Sequence, residues 1–149
     1  MGLAIYDKTK ALVTQGTLVN PLRTYHDGKD GSTYVQLLYV RNNDPIAFFT
    51  DIEVIPIDKA GYDDTIGEYG TGFSVKLIQS PTEPLPHEWE QVGAGDTLSI
   101  VGAVGTSTVP DTSTYIAIWL RIHVPGNTES QVKADICLRL RYLRDRVGS

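Results

Sequence analysis

Two stretches near the carboxyl end of the chain alternate apolar and polar residues. Residues 115–124 and residues 132–143 each place apolar side chains at every second position. This period is typical of half-buried β-strands, whose successive side chains point to opposite faces. The apolar positions are Ile116, Ile118, Leu120, Ile122 and Val124 in the first stretch, and Val132, Ala134, Ile136, Leu138, Leu140 and Tyr142 in the second.

The Pro-Gly-Asn turn at residues 125–127 predicts that these two strands form an antiparallel hairpin. With a symmetric loop, Val124 pairs with Val132, and Arg121 lies opposite Asp135 as an opposite-charge pair that helps to fix the register. We therefore expect the hairpin to be the core of the fold. The residues expected to be fully buried are Ile118, Leu120, Ile122, Ile136 and Leu138.

Shorter strand patterns fill the middle of the chain. Residues 33–41 are apolar enough for a central strand, and residues 73–77 and 97–101 indicate two more. A proline-rich crossover at residues 81–86 separates the last two. In another strand, Phe48, Thr50, Ile52 and Val54 alternate with Phe49, Asp51 and Glu53, which predicts a buried first set and a solvent-facing second set.

This spacing of strands and turns predicts an all-β protein, a two-sheet antiparallel β-sandwich of immunoglobulin-like or jelly-roll-like type. A chain of 149 residues suits one domain. Residues 1–19 alternate only weakly and predict an extended N-terminal arm or edge strand, and residues 20–149 then form the single β-sandwich domain. The sequence leaves open whether the arm is swapped onto a neighbouring copy.

Composition limits the partners that the chain can have. A formal net charge of -5 disfavours nucleic acid, because whole-surface binding to phosphates needs an excess of Lys and Arg. The chain has neither a secretory signal pattern nor a run of about 20 apolar residues, so we expect cytoplasmic synthesis and no membrane partner. The single cysteine, Cys137, excludes an intramolecular disulfide, and by parity it points outward.

Patterns for catalysis or metal binding are weak. The acidic residues within 27–31 and 58–68 suit a hard cation, but neither group has oxygen ligands at every second position, as a calcium loop does. His26, His87 and His123 lie far apart without a neighbouring ligand, which disfavours zinc. A nucleophile elbow is also absent. We therefore expect a protein that is not an enzyme, without catalytic residues, cofactor or metal.

Acidic and basic residues separate along the sequence. Residues 44–96 contain eleven acids against Lys59 and Lys76, whereas arginines crowd the carboxyl end. This polarity favours a head-to-tail contact between copies or a fit onto an oppositely charged surface, and rotation can close a head-to-tail contact into a ring, most simply a trimer. The basic interface candidates are Arg139, Arg141, Arg144 and Arg146.

Trp119 and Tyr115 are the aromatic interface candidates, because by parity both face away from the core of their strand. Exposed aromatic residues often anchor protein interfaces. A carbohydrate-binding sandwich is an alternative, since Trp89, Trp119, Tyr62 and Tyr69 would suit a platform for sugar rings if they formed one solvent-exposed plane.

Five segments carry a family likeness: residues 39–44 (YVRNND), 72–77 (GFSVKL), 81–89 (PTE through EW), 118–125 (IWLRIHVP) and 131–136 (QVKADI). Together they resemble the small β-sandwich virion proteins of tailed bacteriophages. The resemblance implies a capsid decoration or cement protein that binds the outer head shell and is made in the host cytoplasm. Its implied partners are other copies of itself and the major capsid protein or another virion protein. Tail, neck and baseplate proteins use related sandwiches and remain alternatives.

Overall fold

The computed structural model describes residues 2–15, 18–19, 22–26, 32–58, 68–69, 73–124 and 131–148. Within these ranges, one short helix accompanies a set of β-strands. The elements are β1 (Leu3–Asp7), β2 (Leu12–Gln15), β3 (Leu18–Val19), β4 (Leu22–His26), β5 (Ser32–Asn42), β6 (Ala47–Asp58), β7 (Glu68–Tyr69), β8 (Phe73–Gln79), α1 (Pro86–Glu90), β9 (Leu98–Ser99), β10 (Ile116–Val124) and β11 (Gln131–Arg146).

The strands form two sheets. Sheet A has the order β3-β2-β1-β5-β10-β8-β7, and sheet B has the order β4-β11-β6-β9. Every pairing between described strands is antiparallel. Residues of both sheets meet in one main hydrophobic cluster, as expected when two sheets pack face to face. The predicted all-β, two-sheet antiparallel sandwich is therefore confirmed.

The core contains residues that the alternation of apolar and polar positions predicted to be buried. Ile118, Leu120, Ile122 and Leu138 have no exposed surface, which confirms their predicted burial. The side chain of Ile136 lies outside the part of the chain that the structure describes. Because β10 supplies three of these residues from the middle of sheet A, that strand contributes a continuous inward face to the core.

Two further contacts stabilise the core, one within sheet B and one between the two sheets. The rings of Phe49 and Tyr142 meet edge to face with centroids 5.0 Å apart, a favoured geometry for aromatic pairs. The hydroxyl of Thr14 on β2 donates a hydrogen bond of 2.8 Å to the carbonyl of Leu138 on β11. This bond satisfies a buried polar group and ties sheet A directly to sheet B.

The predicted hairpin is wrong, because its two strands belong to different sheets. β10 lies between β5 and β8, whereas β11 lies between β4 and β6. Val124 is opposite Ser32 rather than Val132, and Arg121 is opposite Lys76 rather than Asp135. Two strands whose apolar faces meet across a sandwich show the same alternation as two strands paired side by side. The alternation therefore predicts the buried face but not the partner strand.

The N-terminal segment, residues 1–19, begins with a strand inside sheet A and ends with β3 at the edge of that sheet. β1 is an interior strand of sheet A, paired with β2 on one side and β5 on the other. Leu3, Ala4 and Ile5 have no exposed surface. The weak alternation arises because both faces of β1 are covered at these three positions, so the segment completes its own sandwich.

A β-bulge in β6 reverses the burial expected for its first residues. Phe49 is fully buried and Phe48 is only half-buried, the opposite of the predicted sets. The register against β11 shifts between Arg141 and Leu143, and Asp51 has a positive φ of 50°. An extra residue in one strand changes the parity of side chains on either side of it. The predicted alternation therefore holds only after the bulge.

Cys137 points away from the main core, as its parity predicts, but it is not exposed to solvent. It is 1% exposed and packs with Ile55 and Ile57 in a second small cluster on the outer side of sheet B. The local strand pairing places Cys137 directly opposite Ile57. Burial of this thiol among aliphatic side chains makes it a packing residue of that cluster.

Candidate functional site: the outer face of sheet A

The outer face of sheet A carries half-buried aromatic and aliphatic side chains on neighbouring strands. The fully buried residues of β5 and β10 point toward sheet B, so the alternate residues point away from the core. These outer residues include Tyr6 of β1, Leu37 and Tyr39 of β5, Ile78 of β8, and Ala117 and Trp119 of β10. A contiguous apolar patch of this kind is a frequent mark of an interaction surface.

Trp119 lies in the middle of this face. Its cross-strand neighbours are Leu37 on one side and Ile78 on the other. The indole Nε1–H donates a hydrogen bond of 3.0 Å to the carbonyl oxygen of Ser80, and the side chain is half-buried. The predicted outward orientation of Trp119 is correct, and the hydrogen bond holds the ring in one position.

Tyr115 precedes β10 and is held by three other side chains. Its ring meets that of Tyr39 edge to face, with centroids 5.5 Å apart. The cationic groups of Lys10 and Arg41 each lie 4.8 Å from the centre of the Tyr115 ring, within the range of a cation–π contact. Arg41 also donates a hydrogen bond of 2.8 Å to the Tyr115 hydroxyl. The aromatic surface therefore adjoins positive charge.

The segment from Ser80 to Gly95 folds over part of the same face. Its proline-rich half leads into α1, and Trp89 in that helix is only 3% exposed. The ammonium group of Lys76 donates a hydrogen bond of 3.0 Å to the Trp89 carbonyl, and the N–H of Gly95 returns to the Val75 carbonyl at 2.8 Å. These contacts fix the middle and the end of the segment to β8.

Two clefts open beside this segment. The larger, of about 640 Å³, lies between β8, the start of β10 and the strand β9, and Val101 at its rim is 84% exposed. Its apolar lining residues include Leu77, Ile78, Val92, Leu98 and Ile116. The smaller cleft, of about 290 Å³, lies under the prolines and α1 and is lined by Thr33, Val35, Glu83, Pro84, Pro86, Trp89 and Arg121.

The arginine-rich carboxyl end lies in sheet B, where two of its four candidates pair with acids of the same chain. Arg144 forms an ion pair of 2.7 Å with Asp44, and Arg141 forms one of 3.0 Å with Glu53. The Arg144 hydrogen bond lowers the pKa of the Asp44 carboxyl, as the Arg141 hydrogen bond does for Glu53. The acidic and basic regions that are separate in sequence are thus neighbours in the fold.

The other two arginine candidates also have interaction partners. Arg139 is half-buried and lies opposite Ile55, and Arg146 lies opposite Ala47 at the end of β11. The six sequence candidates therefore do not form one site. Trp119 and Tyr115 lie on the outer face of sheet A, and the four arginines lie on a strand of sheet B.

Two aspartates in the described ranges serve local structure. Asp111 accepts hydrogen bonds from Ser113 and Thr114, which lower its pKa, and Asp7 is held in the same way by Thr9 and Ala11. No group of three or more His, Cys, Asp or Glu suited to a metal occurs among the residues that were placed. The acidic segments 27–31 and 59–67 lie outside those residues, as do the side chains of Asp58 and Glu68.

The aromatic platform considered for carbohydrate does not form as expected. Trp89 is buried beneath the surface, so the four proposed rings cannot share one solvent-exposed plane. The side chains of Tyr62 and Tyr69 lie outside the described residues. Across the described ranges, no helix is long and apolar enough to cross a bilayer.

Sequence reasoning did not identify several residues of the outer face. Tyr6, Leu37 and Tyr39 join Trp119 only because β1, β5 and β10 are adjacent in sheet A, which the hairpin prediction did not allow. Comparisons with protein-family models, with curated proteins and with solved structures found no match to this chain.

Proposed function

We propose that this protein is a structural subunit of a virion, a decoration or cement protein that attaches to the outer head shell through the outer face of sheet A. The observation that carries the proposal is the patch around Trp119, Tyr39 and Tyr6, which lies outside the core and beside an apolar cleft of about 640 Å³. Tyr, Trp and Arg are enriched at the energetic centres of protein interfaces. The resemblance to small phage sandwiches gives this surface its proposed partner.

The rigidity of the patch supports a binding role. The Trp119 ring is fixed by its bond to Ser80, and the Tyr115 ring is fixed by Tyr39 and Arg41. Side chains that are already ordered lose less conformational entropy when a partner binds. A stable sandwich with such a face suits a subunit that reinforces a shell by contact alone.

The proposed partners are the major capsid protein, or another virion protein, and further copies of this chain. A head-to-tail contact between copies whose rotation closes forms a ring, most simply a trimer. Because Arg141 and Arg144 already pair within the chain, the apolar patch rather than the carboxyl-terminal arginines supplies most of the proposed contact. Attachment should then depend only weakly on salt, since screening acts on exposed charges.

The test is reconstitution onto particles produced from the genome that carries this gene, with the gene deleted. Ala117→Glu places a charge in the middle of the patch, and Val101→Glu places one at the rim of the large cleft. Val109→Glu is the matched control, because Val109 is also exposed and lies outside that cleft. Thermal melts first establish that all three variants fold.

We expect particle occupancy, measured by quantitative mass spectrometry, to fall for Ala117→Glu and Val101→Glu and to remain at the wild-type value for Val109→Glu. Equal occupancy for all the proteins would exclude this face as the attachment surface. Immunogold labelling of the same particles separates a head location from the alternative locations in the tail, neck or baseplate.

A further inference from the structure

Arg121 lies on the outer face of sheet A without a carboxylate partner among the described residues. It is opposite Lys76 on β8 and Val35 on β5. Its guanidinium carbon lies 5.5 Å from the centre of the Trp89 ring, in a cation–π contact. Its Nε atom is buried and has no hydrogen-bond partner in the part of the chain that the structure describes. A buried N–H without an acceptor is rare in native proteins and calls for an explanation.

Lys76, the cation opposite Arg121, does not compensate the positive charge of Arg121. Lys76 donates to the Trp89 carbonyl, a neutral acceptor, so its positive charge is not neutralised by that bond. Like charges directly opposite each other on neighbouring strands are destabilising. Arg121 and Lys76 therefore create a local excess of positive charge in a chain whose formal net charge is -5.

The small cleft of about 290 Å³ gives access to this charge. Arg121 and Trp89 line this cleft together, and Val35, Pro84 and Pro86 supply apolar walls. Thr33 contributes a hydroxyl, although that hydroxyl also contacts His123 at 3.0 Å. A ligand that fits these lining residues has an aliphatic part and one negatively charged terminal group.

We infer that this cleft binds a glutamate or aspartate side chain presented by a protein partner, with its carboxylate on the Arg121 guanidinium. A guanidinium fork donates two parallel hydrogen bonds to a carboxylate, and the charge on each makes those bonds strong. The methylene stem of the acidic side chain packs on the proline and valine walls. The partner's place in a virion rests on the proposed function, whereas the carboxylate site can be measured on the isolated protein.

A single carboxylate fits the cleft better than a phosphate group. The cleft contains one guanidinium, and Glu83 in its lining opposes a doubly charged ion. Glu83 is exposed and forms no ion pair with Arg121 in this structure, although both line the same cleft. Replacing Glu83 by Gln therefore removes a competing or repelling carboxylate without changing the shape of the cleft.

The experiment is an NMR titration that follows the Arg121 Nε–H and the Trp89 indole N–H signals. The probe is a short blocked peptide with glutamate at its centre, and the control probes are the same peptide with glutamine and inorganic phosphate. The variants are Arg121→Gln and Glu83→Gln. Lys8→Gln is the matched control, since it removes one positive charge from an exposed turn outside the cleft.

We expect saturable shifts with the glutamate peptide and none with the glutamine peptide. Arg121→Gln should weaken binding, read from the Trp89 signal, by about tenfold or more, since the charge-assisted hydrogen bonds are lost. Glu83→Gln should strengthen binding, and Lys8→Gln should leave it unchanged. Tighter binding of phosphate than of the glutamate peptide would overturn the inference, as would equal binding by wild type and Arg121→Gln. Absence from virions would refute the proposed function and leave a positive titration intact.

Discussion

Leu120 offers the sharpest test of the sandwich core. It lies in the middle of β10, has no exposed surface and is opposite Leu77 on the neighbouring strand. The change Leu120→Ala removes most of an aliphatic side chain at a position where both sheets pack together. We expect a large loss in the free energy of unfolding.

The magnitude follows from two contributions. Burying a leucine side chain stabilises a fold by about 1.5 to 3 kcal/mol. The space left by the missing atoms adds a cavity cost, so that measured losses for buried Leu→Ala changes are about 2 to 5 kcal/mol. A domain of this kind has roughly 5 to 15 kcal/mol of stability in total. The substitution should therefore remove a substantial fraction of it.

The assay is equilibrium denaturation by urea, followed by circular dichroism, for the wild type and two variants. Leu143→Ala is the matched control, because Leu143 is 58% exposed on β11. A surface change of that kind should alter stability by less than about 0.5 kcal/mol. The contradicting result is that Leu120→Ala lowers the free energy of unfolding by less than about 1 kcal/mol while the dependence of that free energy on urea concentration stays unchanged. That result would show that the inward face of β10 is assigned incorrectly.

Three other changes test separate features. Deleting residues 1–7 should give insoluble or unfolded protein on expression, because β1 is an interior strand; a soluble, cooperatively melting truncation would contradict that placement. Asp51→Gly should raise stability in urea by up to about 1 kcal/mol, because the left-handed conformation costs a residue with a Cβ roughly 1 to 2 kcal/mol and the extra backbone entropy of glycine offsets about 0.5 to 1 kcal/mol of that gain; a loss would refute this reading. Asp44→Asn should reduce the stability that the protein loses in acid. The pKa of the Asp44 carboxyl is lowered in the folded state. Its ionised form therefore stabilises the fold fully above the unfolded pKa, near about 3.9, and this stabilisation is lost as the pH falls through the folded pKa. Melts from pH 2 to pH 6 that show equal slopes for both proteins would contradict this last expectation.

The buried faces of the strands could be predicted from the sequence, but their partners could not. The alternation in β10 correctly identified Ile118, Leu120 and Ile122, because burial on one face imposes a period of two whatever lies beside the strand. Pairing depends on contacts between distant segments. The Pro-Gly-Asn sequence after Val124 favoured a hairpin, while the fold places β5 and β8 beside β10.

Local alternation also fails where backbone geometry changes between residues. No single residue near Phe49 signals the bulge, since Asp51 is not glycine and yet has a positive φ. The burial of β1 could not be predicted for a related reason. Leu3, Ala4 and Ile5 are buried on both faces, so they show no alternation that a one-sided strand would produce.

The candidate site was predictable only in part. Trp119 could be placed on an outer face by parity alone, and the structure confirms that orientation. Its neighbours Leu37 and Ile78 come from strands distant in sequence, and the contact between Arg121 and Trp89 depends on the path of the crossover segment. Charge separation along the sequence was misleading, since strand pairing brings Glu53 opposite Arg141.

Electron cryomicroscopy of purified particles, produced from the genome that carries this gene, tests the central claim most directly. The account predicts density for the sandwich at fixed positions on the outer shell. In that density, the face that contains Trp119, Tyr39 and Tyr6 should lie against the shell. Particles without this chain would contradict the proposed virion role, and a sandwich bound with that face toward solvent would contradict the proposed attachment surface.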